Sequence, residues 1–250
     1  MSSSMRKLLE KASPAYAQRL LLVENAARSK FDDSQGMRFH QFLHSKRVAE
    51  NIANLVTNEA ISKFNSFEIF CLLSSAYLHD IGMQLLSKQA VHHDLKPANV
   101  LCSEHKRLGL SPEEALVIGT ICYAHSTDVD LSSVPQHIPV GKNRVRVSFL
   151  AALLRLADAL DVDFRRVPPI ETKSKTAQYW EVYQSILGWS YEPELRSILI
   201  YVKDVPNSSF GKFLAELAKV VSSTSKTLVE NGVPIGELVC KTQGIPDKKR

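Results

Sequence analysis

Six side chains able to hold a divalent cation recur along this 250-residue chain. They are His44 in FLHSKRVAENI, the adjacent pair His79 and Asp80 in AYLHDIG, His105 in SEHKRLG, His125 in CYAHS, and Asp158 in LLRLADALD. All except His105 adjoin apolar runs expected to form buried helices. An unpaired carboxylate or imidazolium in an interior is costly, so these groups need partners. A shared cation would satisfy several at once. Mixed imidazole and carboxylate ligation suits manganese, iron, nickel, cobalt or zinc better than magnesium alone. Asp80 has two oxygens and could bridge two ions, whereas each imidazole offers one free nitrogen. One or two ions held this way activate water and stabilise charge on a phosphoryl oxygen, which is the chemistry of phosphoester hydrolysis. Spacing alone supports a metal site and names no enzyme.

A second stretch suggests a different chemistry. AVHHDLKPANVLC, residues 90–102, is similar to the catalytic loop of protein kinases, with Asp94 as base, Lys96 on phosphate and Asn99 on magnesium. A kinase also needs a glycine-rich turn over the nucleotide, a strand lysine paired to a helical glutamate, and a DFG aspartate. Upstream of the loop only Gly36 and Gly82 occur, no DFG follows, and helix signals stand where a kinase has its sheet. The stretch is read instead as a connector into a proline-started helix. His92, His93 and Asp94 are expected at the rim of the site as solvated residues.

The elements that must position the six candidates are mostly helices. Apolar residues at helical spacing mark 14–30 and Met37 to Leu55. SFEIFCLLSSAYLHDIG is apolar nearly all round and belongs at the centre, with Ser66 as cap, Glu68 in its first turn and an end near Gly82. Ser111, Pro112 and Glu114 form a helix start with a capping box. VSFLAALLRLADALDV is a further apolar helix, stopped before Pro168 and Pro169. Beyond Pro169, WEVYQSILGWS and LRSILIYVKDV read as short strands, IGELVCKT as a strand or an edge turn, and the segment from Phe210 to Gly232 as a helix. The expected fold class is mainly α, a helical bundle with a small mixed α/β C-terminal extension. The expected division is 1–34 as an N-terminal helical segment, 35–168 as the metal-binding domain and 169–250 as the extension.

Composition limits the remaining classes. Net charge is +5, from 31 basic and 26 acidic residues, a weak preference for anionic partners. No run of 18 apolar residues predicts a membrane span, and charges interrupt the N-terminal region where a signal peptide needs its apolar run. A cytoplasmic location is expected. Cys71, Cys102, Cys122 and Cys240 form no CxxC pair and are read as reduced core residues.

The order His, His-Asp, Asp resembles the HD superfamily of metal-dependent phosphohydrolases over residues 35–165. His44 precedes SKRVAENI, the doublet stands in HDIG, and Asp158 occupies the closing phrase LLRLADALD. The resemblance implies an HD-domain bundle in which His44, His79, Asp80 and Asp158 hold the first metal, with His79 and Asp80 as the catalytic pair. His105 and His125 match places where two-metal branches add ligands, as in Cas3-type nucleases and HD-GYP phosphodiesterases. Met83 stands where HD-GYP proteins carry lysine, and no GYP phrase occurs, so cleavage of cyclic-di-GMP is not expected. His125 stands alone where some branches carry a histidine doublet, which leaves occupancy of the second metal site open. The chain is similar in particular to Cas3-like HD domains found beside Hsp90-like ATPase domains in bacterial defence genes. That likeness implies a role in antiviral defence and an Hsp90-like ATPase domain, in this or a neighbouring chain, as partner.

The implied activity is hydrolysis of a phosphoester or phosphodiester in a nucleotide or nucleic acid. A nuclease or nucleotide hydrolase ranks above a cyclic-nucleotide phosphodiesterase. Arg47, Lys142, Arg144, Arg146, Arg155 and Arg165 are candidates to hold substrate phosphates. Asp161 is expected at the outer side of the site and Asp163 as a cap or salt-bridge partner. The alternative is a module that keeps the fold and the metal without turnover and regulates a partner ATPase.

Overall fold

The two most apolar helices, α5 (Ser66–Leu78) and α8 (Val147–Ala159), take the centre of the computed structural model. This structure describes residues 4–31, 37–81, 97–162, 177–203 and 208–242. Every residue of α5 from Phe67 to Leu78 is buried, which requires neighbours on all sides. Those neighbours are α2 (Pro14–Phe31), α3 (Met37–Leu55), α7 (Pro112–Ala124) and α8, with α1 (Ser4–Ala12) packed against α2 and α5. The short α4 (Asn58–Ser62) joins α3 to α5, and α6 (Pro97–Glu104) lies along α7. Close approach of α6 depends on Gly119, where a Cβ would stand 2.9 Å from the Ala98 Cα. The described helices include none long and apolar enough to cross a membrane.

Helix starts follow local chemistry. Ser111 and Glu114 form the expected capping box on α7. At α5 the cap is Asn65 rather than Ser66, and Glu68 completes its box. Both residues can cap, but only Asn65 lies one position outside the helix with extended backbone. Glu114 also accepts a two-pronged ion pair from Arg19, which ties α2 to α7.

The C-terminal part is mixed α/β, as expected. β3 (Ile186–Glu192) pairs antiparallel with β4 (Ser197–Val202), and β4 pairs parallel with β5 (Glu237–Thr242). Parallel neighbours need a crossover, supplied by α10 (Ser208–Glu230). α10 packs along α8, so the extension is joined to the bundle by a helix. One strand expectation is corrected: WEVYQSILGWS divides at Ser185, with α9 (Ala177–Ser185) before it and β3 after. The helical turn lets Tyr183 pack edge-on against Phe213 of α10, ring centres 6.0 Å apart. A register shift between Ile186 and Gly188, with Gly188 at φ 152°, marks where pairing begins.

A second small sheet, β1 (Ile138–Val140) and β2 (Asn143–Val145), is a hairpin before α8. Gly141 takes φ 56° at the first position of its two-residue turn, where a side chain would be strained. Two of the four cysteines depart from the core reading. Cys71 and Cys122 are buried, while Cys102 and Cys240 are exposed. Cys102 falls on the outer side of the short α6, and Cys240 on β5, most of whose residues face outward.

Candidate metal centre

Three helices of the bundle end at one place. His79 is the C-cap of α5, His125 the C-cap of α7, and Asp158 the penultimate residue of α8. Helix C-termini carry partial negative charge, so this corner favours a cation before any side chain is counted. His44 reaches the same corner from α3. Asn51, two turns further along α3, donates to the Ala157 carbonyl at 2.9 Å and sets the α3–α8 register beside Asp158.

The donor atoms converge. His44 Nε2 lies 3.0 Å from Asp158 Oδ1, 3.2 Å from His79 Nε2 and 3.8 Å from Asp80 Oδ2. His79 Nε2 lies 3.4 Å from Asp80 Oδ2 and 3.8 Å from Asp158 Oδ1. Ligands about 2.1 Å from one ion stand about 3.0–3.4 Å apart in octahedral or tetrahedral arrangement, so the 3.0, 3.2 and 3.4 Å spacings suit a shared cation and the two of 3.8 Å are wider. The other imidazole nitrogens are committed. His44 Nδ1–H donates to Asp161 Oδ2 at 2.6 Å, and His79 Nδ1–H to the Ala76 carbonyl at 2.9 Å. With those donors fixed, two neutral rings would face each other through bare lone pairs. A proton or a metal ion between them removes that repulsion. This orientation of histidine by an outer acceptor is the usual support of a metal ligand.

Charge is balanced at close range when no ion is present. Burial opposes the charged form of His79, but Asp80 and then Asp158 outweigh it and push its pKa up to about 9. Burial likewise opposes the Asp80 carboxylate, but the charge and hydrogen bond of His79 hold it down to about 2. Asp158 is held well below the usual carboxylate range against its burial, by His44 first and then His79. His44 is raised: its burial is outweighed by Asp158 and Asp161. His125 moves the other way, lowered by burial and then by the charge of His79.

These directions predict opposite pH responses with and without metal. The His79 contribution to metal-free stability is present below its ordinary 6.5 and lost as pH rises through about 9. The Asp80 contribution is present above its ordinary 3.8 and lost as pH falls through about 2. Metal must displace the imidazolium proton, so apparent affinity should weaken by about tenfold per pH unit for each proton released between pH 8 and 6. Metal titrations at several pH values, together with melting of both forms, check this. The melting difference between metal-bound and metal-free protein should grow as pH rises.

The remaining candidates divide sharply. His125 joins a second group with His79 and Asp80, its ring centre 5.1 Å from that of His79 and its Nδ1–H donating to the Cys122 carbonyl. That group shares His79 with the first. Asp80 also stands beside His44, so among the described residues only His125 belongs to this second group alone. His105 is not brought to the cluster. It follows α6 in a turn, its Nδ1–H donates to the Cys102 carbonyl, and the same turn offers the Gly109 carbonyl to Arg19 near the start of α7. The cluster lies at the other end of α7, a helix of 13 residues and so about 20 Å long.

Three of the six expected phosphate-binding residues are committed to other roles. Arg47 donates from Nε and a terminal nitrogen to Asp161, at 2.6 and 2.9 Å. Asp161 is thus a buried link between Arg47 and His44, rather than a group on the outer side of the site. Arg155 is buried and donates to the carbonyls of Ala124, His125 and Val129, closing the end of α7 and setting His125 in place. Arg146 sits before α8 and pairs with the buried Glu68 at the start of α5. Lys142 and Arg144 are exposed on the β1–β2 hairpin beside it. Asp158 is at the far end of α8, again 13 residues and about 20 Å away, so the basic hairpin does not face the cluster. Gly82, Met83, His92, His93, Asp94, Lys96, Asp163, Arg165, Pro168 and Pro169 lie outside the described residues.

A helical bundle that gathers His, His-Asp and Asp at its converging helix ends is an HD-type domain. The HD-CE family model matches residues 14–222, and the chain belongs to that family. The matched span runs from α2 into α10. No curated protein matches the chain.

Proposed function

We propose that the protein is a metal-dependent phosphohydrolase that cleaves a phosphoester or phosphodiester bond in a nucleotide or nucleic acid. The convergence of His44, His79 and Asp158 on one cation-sized space, with Asp80 beside His79, supports this reading most directly. Its donor set, two imidazoles and two carboxylates, fits a divalent transition metal. When bound, such an ion acidifies water and offsets charge on phosphoryl oxygens.

The chain supplies the rest. Asp161 fixes the His44 ring, Arg47 fixes Asp161, and the Ala76 carbonyl fixes His79. Asp80 stays ionised at neutral pH, orients the attacking water and accepts its hydrogen bond. Asp158 opens to a cleft at the end of α8, so a phosphate can reach the cluster from that side.

The test is elemental analysis of protein purified without chelator, paired with hydrolysis of bis(p-nitrophenyl) phosphate. Near-stoichiometric metal is expected, with turnover lost on stripping and restored by manganese. Full metal occupancy with no product from dinucleotides, nucleoside triphosphates or single strands would overturn the enzymatic reading.

A further inference from the structure

The cleft onto which Asp158 opens has a volume of about 600 Å³ and lies between the end of α8 and the pair α9 and α10. Its floor is apolar, from Phe213, Leu217 and Val220 of α10 with Tyr183 of α9. These α10 positions fall on one helical stripe. Next to that stripe the rim carries Lys212, Glu216 and Lys219. Glu216 and Lys219 form an ion pair of 2.7 Å with both side chains 72% exposed. An exposed pair is weak, so the Lys219 ammonium can exchange its partner for an incoming anion.

The direction of α10 orders these groups relative to the metal cluster. Arg146, before α8, reaches Asn231, just past α10, at 3.3 Å. The two helices therefore run antiparallel, and Asp158 comes opposite the turn containing Lys219. Phe213 stands about 9 Å further along α10 at 1.5 Å per residue. The cleft thus presents a cation-binding end, a lysine rim and an aromatic floor, in that order.

We propose that this cleft is the nucleoside-binding subsite and that its ligand is a nucleoside phosphate rather than a polynucleotide strand. The assignment rests on the phosphohydrolase reading above. The reacting phosphate lies at the Asp158 end, Lys219 and Lys212 hold phosphate oxygens, and the base lies against Phe213 and Tyr183. A strand would need a basic track leading from the cluster. Among the described residues, the exposed hairpin bases Lys142 and Arg144 instead stand at the opposite end of α8.

Calorimetric binding of adenosine monophosphate to the metal-loaded protein tests the proposal, with inorganic phosphate and a single-stranded oligodeoxynucleotide as comparison ligands. Phe213→Ala should weaken the nucleotide by about tenfold, as loss of a stacking contact does, and leave phosphate binding unchanged. The exposed double variant Lys212→Gln with Lys219→Gln should weaken both ligands, with metal content and melting temperature unaltered.

The subsite is overturned if wild-type protein binds no nucleotide, if both variants bind it as wild type does, or if the oligonucleotide displaces it at far lower concentration. Nucleotide binding with these sensitivities but no hydrolysis would uphold the subsite and sink the phosphohydrolase reading. Metal-dependent turnover of the phosphodiester probe, with nucleotide binding indifferent to both variants, would do the reverse.

Discussion

Asp158→Ala should lose its bound metal and lower kcat/KM on a phosphodiester substrate by at least about a thousandfold, or roughly 4 kcal/mol of transition-state stabilisation. Asp158 Oδ1 is the oxygen nearest His44 Nε2, at 3.0 Å, and also lies 3.8 Å from His79 Nε2. Removing it takes away one of the two carboxylates that offset the cation and leaves the imidazoles facing each other. Asp80→Ala should behave alike, since its oxygen stands 3.4 Å from His79 Nε2. Asp161→Asn is the contrasting variant. It keeps every donor in the cluster but weakens the acceptor that orients His44, so metal affinity should fall by about 10–100-fold. Raising the metal concentration should then restore turnover to Asp161→Asn and not to Asp158→Ala. Metal content, kcat and KM of the three variants at several manganese concentrations check this. Full metal occupancy in Asp158→Ala would overturn the assignment.

The second large effect is on stability, at the other end of the bundle. Arg146→Gln should lower the melting temperature by roughly 10 °C and leave metal content per folded chain unchanged. Arg146 donates from Nε and a terminal nitrogen to the Glu68 carboxylate at 2.8 and 2.7 Å, and from its backbone N–H at 3.0 Å. It also donates to the Lys63 carbonyl, and its guanidinium lies over the rings of Phe64 and Phe149 at 5.1 and 4.9 Å. Glu68 is 1% exposed. Removing one partner of a buried pair strands the other charge and costs about 3–5 kcal/mol, at about 2–4 °C per kcal/mol for a chain of this size. The same substitution in a phosphate-binding arginine would raise KM at unchanged melting temperature. Thermal melts and steady-state kinetics on one preparation separate the two roles.

What separates Arg146 from a substrate-binding residue is absent from its local sequence. KNRVRV reads as a basic strip because alternating charges in a loop are commonly solvated. Its last arginine is instead drawn inward by Glu68, 78 positions earlier. Arg47 and Arg155 show the same limit. Each is a cation near candidate ligands along the chain, and each is bound by an acceptor that only packing supplies: Asp161 for Arg47, and the carbonyls at the end of α7 for Arg155. The pairing of Asp158 with Asp161 three positions later was a usable signal, since such spacing on a helix puts both on one face. It did not say that Asp161 would lie inside, under His44.

Chemical type and helical periodicity were enough to determine the mainly α fold with its mixed C-terminal part. Continuous apolar runs leave α5 and α8 no stable place except the centre, and His79, Asp80 and Asp158 are written at their ends. Tertiary structure alone decided which candidates meet. A helix carries its two ends about 20 Å apart, so His125 arrives at the cluster while His105, beside the opposite end of α7, does not. It also decided that the cleft beside Asp158 is walled by α10, because chain direction and packing, rather than any local motif, lay that helix antiparallel along α8.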